Sequence, residues 1–236
     1  MDKEYIMNKL NGQLIVSCQA LQNEPLHSSQ IMGKMALAAK QGGAAGIRAN
    51  TVEDIAEIRR NVELPIIGII KRDYDNSEIY ITPTMSEIRE LVKSPAEIIA
   101  MDATMRRRPA GAQLAEMVEF VKKSGKIAMA DISIFEEGVN AQKLGFDIVS
   151  TTLSGYTPQS KNRDTPDFEL IRKLKNAIDV PVIAEGHTQT PQDFIKCLEC
   201  GAFCAVVGSI ITRPQIITRY FVSALETYKK TNSCGV

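Results

Sequence analysis

A lysine closing an apolar run is a candidate base, and Lys71 ends the run Ile66-Ile67-Gly68-Ile69-Ile70. Apolar surroundings disfavour the ammonium, so this amine is expected to titrate below the ordinary lysine range and take protons near neutrality. Glu185 follows Val182-Ile183-Ala184 in the same manner, which suits a carboxyl that exchanges a proton or orients the lysine. Anion binding is a second chemistry. Glu185-Gly186-His187 and Val207-Gly208-Ser209 offer backbone amides where glycine lets the chain approach a phosphate, and Arg213 stands just before Pro214. Other polar residues also follow apolar runs: Gln19, Arg48, Asp102, Asp131, and Thr151 with Thr152. Taken singly, these residues have plainer readings: a snorkelling lysine, a salt-bridged glutamate, a glycine turn beside an exposed arginine. Their recurrence at the ends of apolar runs points to one pocket.

Metal chemistry has little to build on. The chain has only His27 and His187, with no H-x-H or H-E-x-x-H spacing. Cys197, Cys200 and Cys204 form a C-x-x-C-x-x-x-C run, but no further cysteine pair completes a zinc or cluster set, so they read as buried reduced thiols. No metal and no redox cofactor is expected.

Holding such residues together is the task of the elements before them. Short β-branched runs recur at 14–17, 45–47, 66–70, 98–101, 127–130, 148–151, 182–184 and 205–207. Between and after them, helical spacing of apolar residues appears at 31–41, 52–61, 85–93, 113–124, 135–144, 168–177, 191–200 and 214–228. Strands apolar on both faces, each followed by a helix, predict an α/β protein of the (β/α)8 TIM-barrel class, one domain over residues 1–236. In that fold the residue past each strand faces the active-site mouth. A doubly wound sheet is the alternative, but Cys18-Gln19-Ala20-Leu21 after the first strand is no G-x-G-x-x-G turn. Thr190-Pro191 reads as a cap with a first-turn proline, and Gly125, Gly145 and Gly201 as left-handed helix ends. The longest loops, 74–84 and 154–167, leave strand ends and are expected at the substrate.

Lys plus Arg balance Asp plus Glu at 28 each, so no overall field draws the chain to nucleic acid or an anionic membrane. No apolar stretch approaches the roughly 18 residues of a membrane helix. The five scattered cysteines and the charged start MDKEYIMNKL predict a reducing cytoplasm and no signal peptide. The expected partner is a small phosphorylated molecule; a homodimer stays open, as do the roles of Arg106-Arg107-Arg108 and His187.

Several ordered blocks carry a resemblance: Val16-Ser17-Cys18-Gln19-Ala20, Gly46-Ile47-Arg48-Ala49-Asn50, Gly68 to Tyr74 with Ile81-Thr82-Pro83-Thr84, and Asp102-Ala103-Thr104. They continue through Met129-Ala130-Asp131-Ile132-Ser133, Thr151 to Thr157, Ile183-Ala184-Glu185-Gly186 and Val207-Gly208-Ser209 leading to Arg213-Pro214. Over nearly its whole length the chain resembles the N-acetylmannosamine-6-phosphate 2-epimerase family of barrels in sialic acid salvage. The resemblance implies interconversion of N-acetylmannosamine 6-phosphate and N-acetylglucosamine 6-phosphate, with Lys71 and Glu185 as the catalytic pair. It further implies that Gln19, Arg48, Asp131 and Arg213 contact the sugar phosphate, with Gly208 and Ser209 near the phosphate. His187 and Ser209 depart from the expected pattern, where a variable or basic residue and a second glycine would stand. Two rivals share the pocket: a Schiff-base aldolase using Lys71, and a non-catalytic sugar-phosphate sensor.

Overall fold

A computed structural model describes residues 2–232 and places eight parallel strands in a closed barrel in sequence order. The chain starts with α1 (Lys3–Leu10) and then alternates β1 (Leu14–Cys18), α2 (Ser29–Gln41), β2 (Gly46–Asn50), α3 (Val52–Asn61), β3 (Ile66–Ile69) and α4 (Met85–Leu91). It continues with β4 (Ile98–Asp102), α5 (Leu114–Lys123), β5 (Ile127–Asp131), α6 (Phe135–Lys143), β6 (Ile148–Ser150) and α7 (Phe168–Ala177). The last units are β7 (Val182–Glu185), α8 (Pro191–Glu199), β8 (Cys204–Val207), the short α9 (Ser209–Thr212) and α10 (Pro214–Asn232). The barrel closes where β1 pairs with β8, Ile15 opposite Val206.

Side chains alternate along each strand with period two, which divides the core. Val16, Ile47, Ile66, Ile99, Ala128, Val149 and Val182 point outward into one cluster with the surrounding helices. Ile15, Ile67, Ile98, Ile127, Ile148, Ile183 and Cys204 fill the interior with Ile6 and Leu10 of α1. The inward phase, continued upward, falls on Ser17, Arg48, Lys71, Asp102, Asp131, Ser150 and Glu185. Thus the residue type changes from apolar to polar or charged at one height in the barrel, and that height is the site.

The punctuation read from the sequence is realised. Thr190 Oγ1 accepts from the Asp193 N–H while Asp193 accepts from the Thr190 N–H, ahead of Pro191. Gly125, Gly145 and Gly201 stand at φ +75°, +86° and +96°. Three features differ from the sequence reading. β2 runs on to Asn50, so Arg48 lies in mid-strand. α1 forms from a stretch the sequence reading left without an element; of its residues only Ile6 and Leu10, one turn apart, are buried, and they pack onto the floor of the barrel interior. α10 spans 19 residues without burying any of them.

Candidate active site

A cavity of about 1440 Å³ opens at the C-terminal ends of the strands and takes Gln19, Arg48, Lys71, Glu185, Gly208 and Arg213 into its walls. Beneath it lies an ion-pair cluster. Both terminal nitrogens of Arg48 donate to Asp131, at 3.0 and 2.6 Å, and Nη1 also reaches Glu185 Oε2 at 2.8 Å. Arg48 and Asp131 are 1% and 0% exposed at their side chains, so each charge is compensated by the other rather than by water. Asp131 does not line the cavity; it reaches the chemistry through Arg48. Burial pushes Glu185 up, to about 7; Arg48 opposes that shift and the negative Asp131 adds to it.

Lys71 follows β3 where the strand leaves the barrel and its backbone bridges to Ile81. Burial, helped by the positive charges of Arg48 and Arg213, lowers its pKa to about 8. An appreciable fraction of the amine is therefore free near neutrality, and the acid and base tendencies of the two residues converge. The Lys71 backbone is pinned from β2: its N–H donates to the Asn50 side chain at 2.8 Å. The next residue, Thr51, sits at φ +70°, ψ 152°, a conformation that costs a β-branched residue energy. Its hydroxyl caps α3 by accepting from the Asp54 N–H at 3.2 Å, which ties that turn to the helix behind it. The strand-end reading gave no role to Asn50 or Thr51, although Asn50 closes one of the blocks that carry the resemblance.

The opposite wall carries the candidate anion groups. Gly208 stands at the N-cap of α9 and Ser209 begins it, and the first N–H groups of that helix lack intrahelical acceptors. A Cβ on Gly208 would approach Ser17 Cβ to 3.3 Å, so glycine keeps this wall open. Arg213 lies alongside and donates to Ser209 Oγ at 3.0 Å, but its Nε and Nη2 are held by Glu24 at 2.6 and 2.9 Å. Glu24 was missed in the sequence because it lies in a loop and not at a strand end. Gln19 donates to Ser17 Oγ at 2.8 Å, while its amide oxygen is buried without a partner among the described residues. Gly186, at φ +105°, turns the chain into His187, which stacks on Tyr156 with ring centroids 4.4 Å apart.

Comparison with known proteins bears on this constellation of amine, carboxyl and anion wall. The family described as "Putative N-acetylmannosamine-6-phosphate epimerase" matches residues 32–227. The chain belongs to that family. A relative from Clostridium perfringens (strain SM101 / Type A), described as "Putative N-acetylmannosamine-6-phosphate 2-epimerase", is 58% identical over 94% of this chain and its own full length. One of the same description from Clostridioides difficile (strain 630) is 55% identical, covering 94% of this chain and 99% of the relative. A solved N-acetylmannosamine-6-phosphate 2-epimerase structure from Clostridium perfringens superposes with a TM-score of 0.93 at 56% identity, covering 95% of this chain and 98% of the other.

In this member of the epimerase family the expected site residues do not all converge. Thr151 is off the cavity: its hydroxyl donates to the Glu185 carbonyl at 3.0 Å and accepts from the Glu185 N–H at 3.1 Å, tying β6 to β7. β6 is only three residues long, so the inward phase beyond it falls on Thr152, which does line the cavity. Asp102, at the end of β4, is walled off by its own loop: Arg106 reaches it at 2.6 Å and Thr104 at 2.7 Å, and Arg108 donates to its carbonyl. Two of the three consecutive arginines thus fold inward onto Asp102, and Arg107 is exposed. Among the described residues no group of three or more His, Cys, Asp or Glu is arranged to hold a metal ion. Cys197, Cys200 and Cys204 are buried free thiols; burial raises the Cys197 thiol to about 12.

Proposed function

We propose that the chain interconverts N-acetylmannosamine 6-phosphate and N-acetylglucosamine 6-phosphate by exchanging the proton at C2, as an N-acylglucosamine-6-phosphate 2-epimerase of amino-sugar catabolism. The observation that carries this reading is the pairing of a lysine lowered to about 8 with a carboxyl raised to about 7 in the walls of one cavity. C2 is acidic only beside the C1 carbonyl of the open-chain sugar, so the reaction needs a base, an acid for ring opening and stabilisation of the enolate. Lys71, unprotonated, takes the C2 proton. Glu185, protonated, serves ring opening and proton return. Arg213, Ser209 and Gly208 anchor the phosphate, with Gly186 in the adjoining turn, and this remote binding orients C2. The partnerless Gln19 oxygen suits the acetamido N–H. Arg48 lies below the reacting carbons and, with Asp131 behind it, sets the charge against which Glu185 titrates. Return to the other face of C2 requires either turning of the planar enolate or delivery by a second group.

The chemistry is tested by incubating the protein with N-acetylmannosamine 6-phosphate in deuterated water and following C2 by NMR. Deuterium at C2 of both epimers is expected. Lys71→Ala is expected to lower turnover by at least about 100-fold while the variant keeps a wild-type circular dichroism spectrum. Undiminished turnover in that variant, or covalent trapping of substrate on Lys71 by borohydride, would overturn the assignment; trapping would instead mark the aldolase chemistry.

The reading extends to setting and assembly. Buried free thiols support a reducing cytoplasm. A homodimer is supported by α10, which leaves Tyr220, Phe221, Val222 and Leu225 between 47% and 70% exposed.

A further inference from the structure

Thr152 stands on the inward phase beyond β6 and reaches three oxygens. Its Oγ1 lies 2.6 Å from Asp131 Oδ1, 2.8 Å from Ser150 Oγ and 3.2 Å from Glu185 Oε2. A hydroxyl owns one proton and two acceptor lone pairs. The shortest of the three contacts runs to Asp131, the carboxylate salt-bridged to Arg48, so the Thr152 proton goes there. Ser150, wholly buried, then gives its own proton to Thr152. One lone pair of Thr152 remains, facing Glu185. Two oxygens with no proton between them repel, whereas a proton on Glu185 makes the contact a hydrogen bond donated by the carboxyl.

We infer that Thr152 is the acceptor that holds Glu185 in its acid form, a positioning residue for proton delivery by Glu185. The inference rests on the epimerase reading, in which Glu185 supplies a proton. The charged and titratable groups around Glu185 are Arg48 from β2, Lys71 beyond β3, Asp131 from β5, Tyr156 from the loop after β6 and Cys204 from β8. Among them Arg48 also contacts Oε2, at 2.8 Å, as a donor to a remaining lone pair. Burial and Asp131 favour the protonated carboxyl, and Arg48 and Lys71 the ionised one. A Thr152 hydroxyl donated to Glu185 would also favour the ionised form, but its single proton is taken by Asp131 at 2.6 Å rather than by Glu185 at 3.2 Å, so Thr152 meets Glu185 as an acceptor. The alternative, a Thr152 hydroxyl donated to an ionised Glu185, makes the opposite prediction on removal of the hydroxyl.

The decisive measurement is the titration of Glu185 itself, in full-length protein carrying 13C-carboxyl glutamate, with the resonance assigned by its loss in Glu185→Gln. In Thr152→Val, which keeps the shape and removes the hydroxyl, the Glu185 midpoint is expected to fall by about one pH unit. The protonated fraction near pH 7 then drops about fivefold, and kcat with it, while KM stays within about twofold. Thr152→Ser, which restores the hydroxyl, should return both midpoint and kcat. A midpoint that stays put or rises in Thr152→Val overturns the inference. Should that variant not fold, Thr152→Ala read in the same titration carries the same sign. Failure of the underlying function appears elsewhere: wild-type protein that exchanges no C2 proton refutes the epimerase reading, whatever Thr152 does to the titration.

Discussion

Asp102 and Asp131 end neighbouring strands, face one another in register and are both fully buried, yet they serve different ends. Asp102 is consumed locally, by Thr104 and Arg106 of the loop that follows it. Asp131 is bound across the barrel by Arg48, which in turn holds Glu185. The first carboxylate fastens a loop; the second supplies the charge against which an acid is tuned. Position at a strand end is therefore not sufficient for a role at this mouth. The loop that follows the strand decides whether the charge is available.

Neutralising each carboxylate in turn tests that division. Asp131→Asn leaves Arg48 buried with half its compensation, and a loss of about 3–5 kcal/mol in unfolding free energy by urea titration is expected. Below its melting temperature, kcat/KM of this variant should also fall about 100-fold, because the Arg48–Glu185 pair shifts with it. Asp102→Asn should cost about 1–3 kcal/mol by the same assay, with kcat/KM within about threefold of wild type. Equal loss of activity in both variants would erase the distinction. Lys71 sharpens it from the other side, since its burial serves chemistry at the expense of stability. Below pH 8 the lysine is protonated both folded and unfolded, and the folded state bears the full cost of the buried charge. Between about 8 and the ordinary value of 10.5 the unfolded chain binds the proton more tightly, so that cost fades as pH rises. Lys71→Met is accordingly expected to be more stable than wild type by about 1 kcal/mol near neutrality, the gain shrinking above pH 8. A gain that grows with pH would contradict the burial account.

The barrel was legible because its signal is repeated: short apolar runs such as Ile66 to Ile70 and Ile127 to Ala130 alternate with helical spacing in an order that few folds satisfy. The strand-end rule also located Lys71 and Glu185, and the anion reading of the glycine segment before Pro214 located Arg213; the cavity gathers all three. What the sequence obscured has local causes. α1 has two buried apolar residues in a charged stretch, too few to display periodicity. The sequence offered Thr151 and Thr152 together, and which of them faces the cavity turned on a single residue of phase at the end of a three-residue strand, where a shift of one reverses the face. Asp102 was withdrawn from the cavity by Arg106 and Arg108, contacts that no spacing rule announces. Asn50 and Glu24 act through partners far away in the chain, Lys71 and Arg213, and became visible only once the strands were placed side by side.

The two aliphatic side chains of α1 that plug the barrel floor have a bearing on turnover. They cap an interior that Ile15, Ile67, Ile98, Ile127, Ile148 and Ile183 fill below the cavity, so a sugar phosphate enters and leaves on the side of the strand C-termini. Both epimers therefore compete for the same passage, and accumulation of either is expected to slow the traffic of the other.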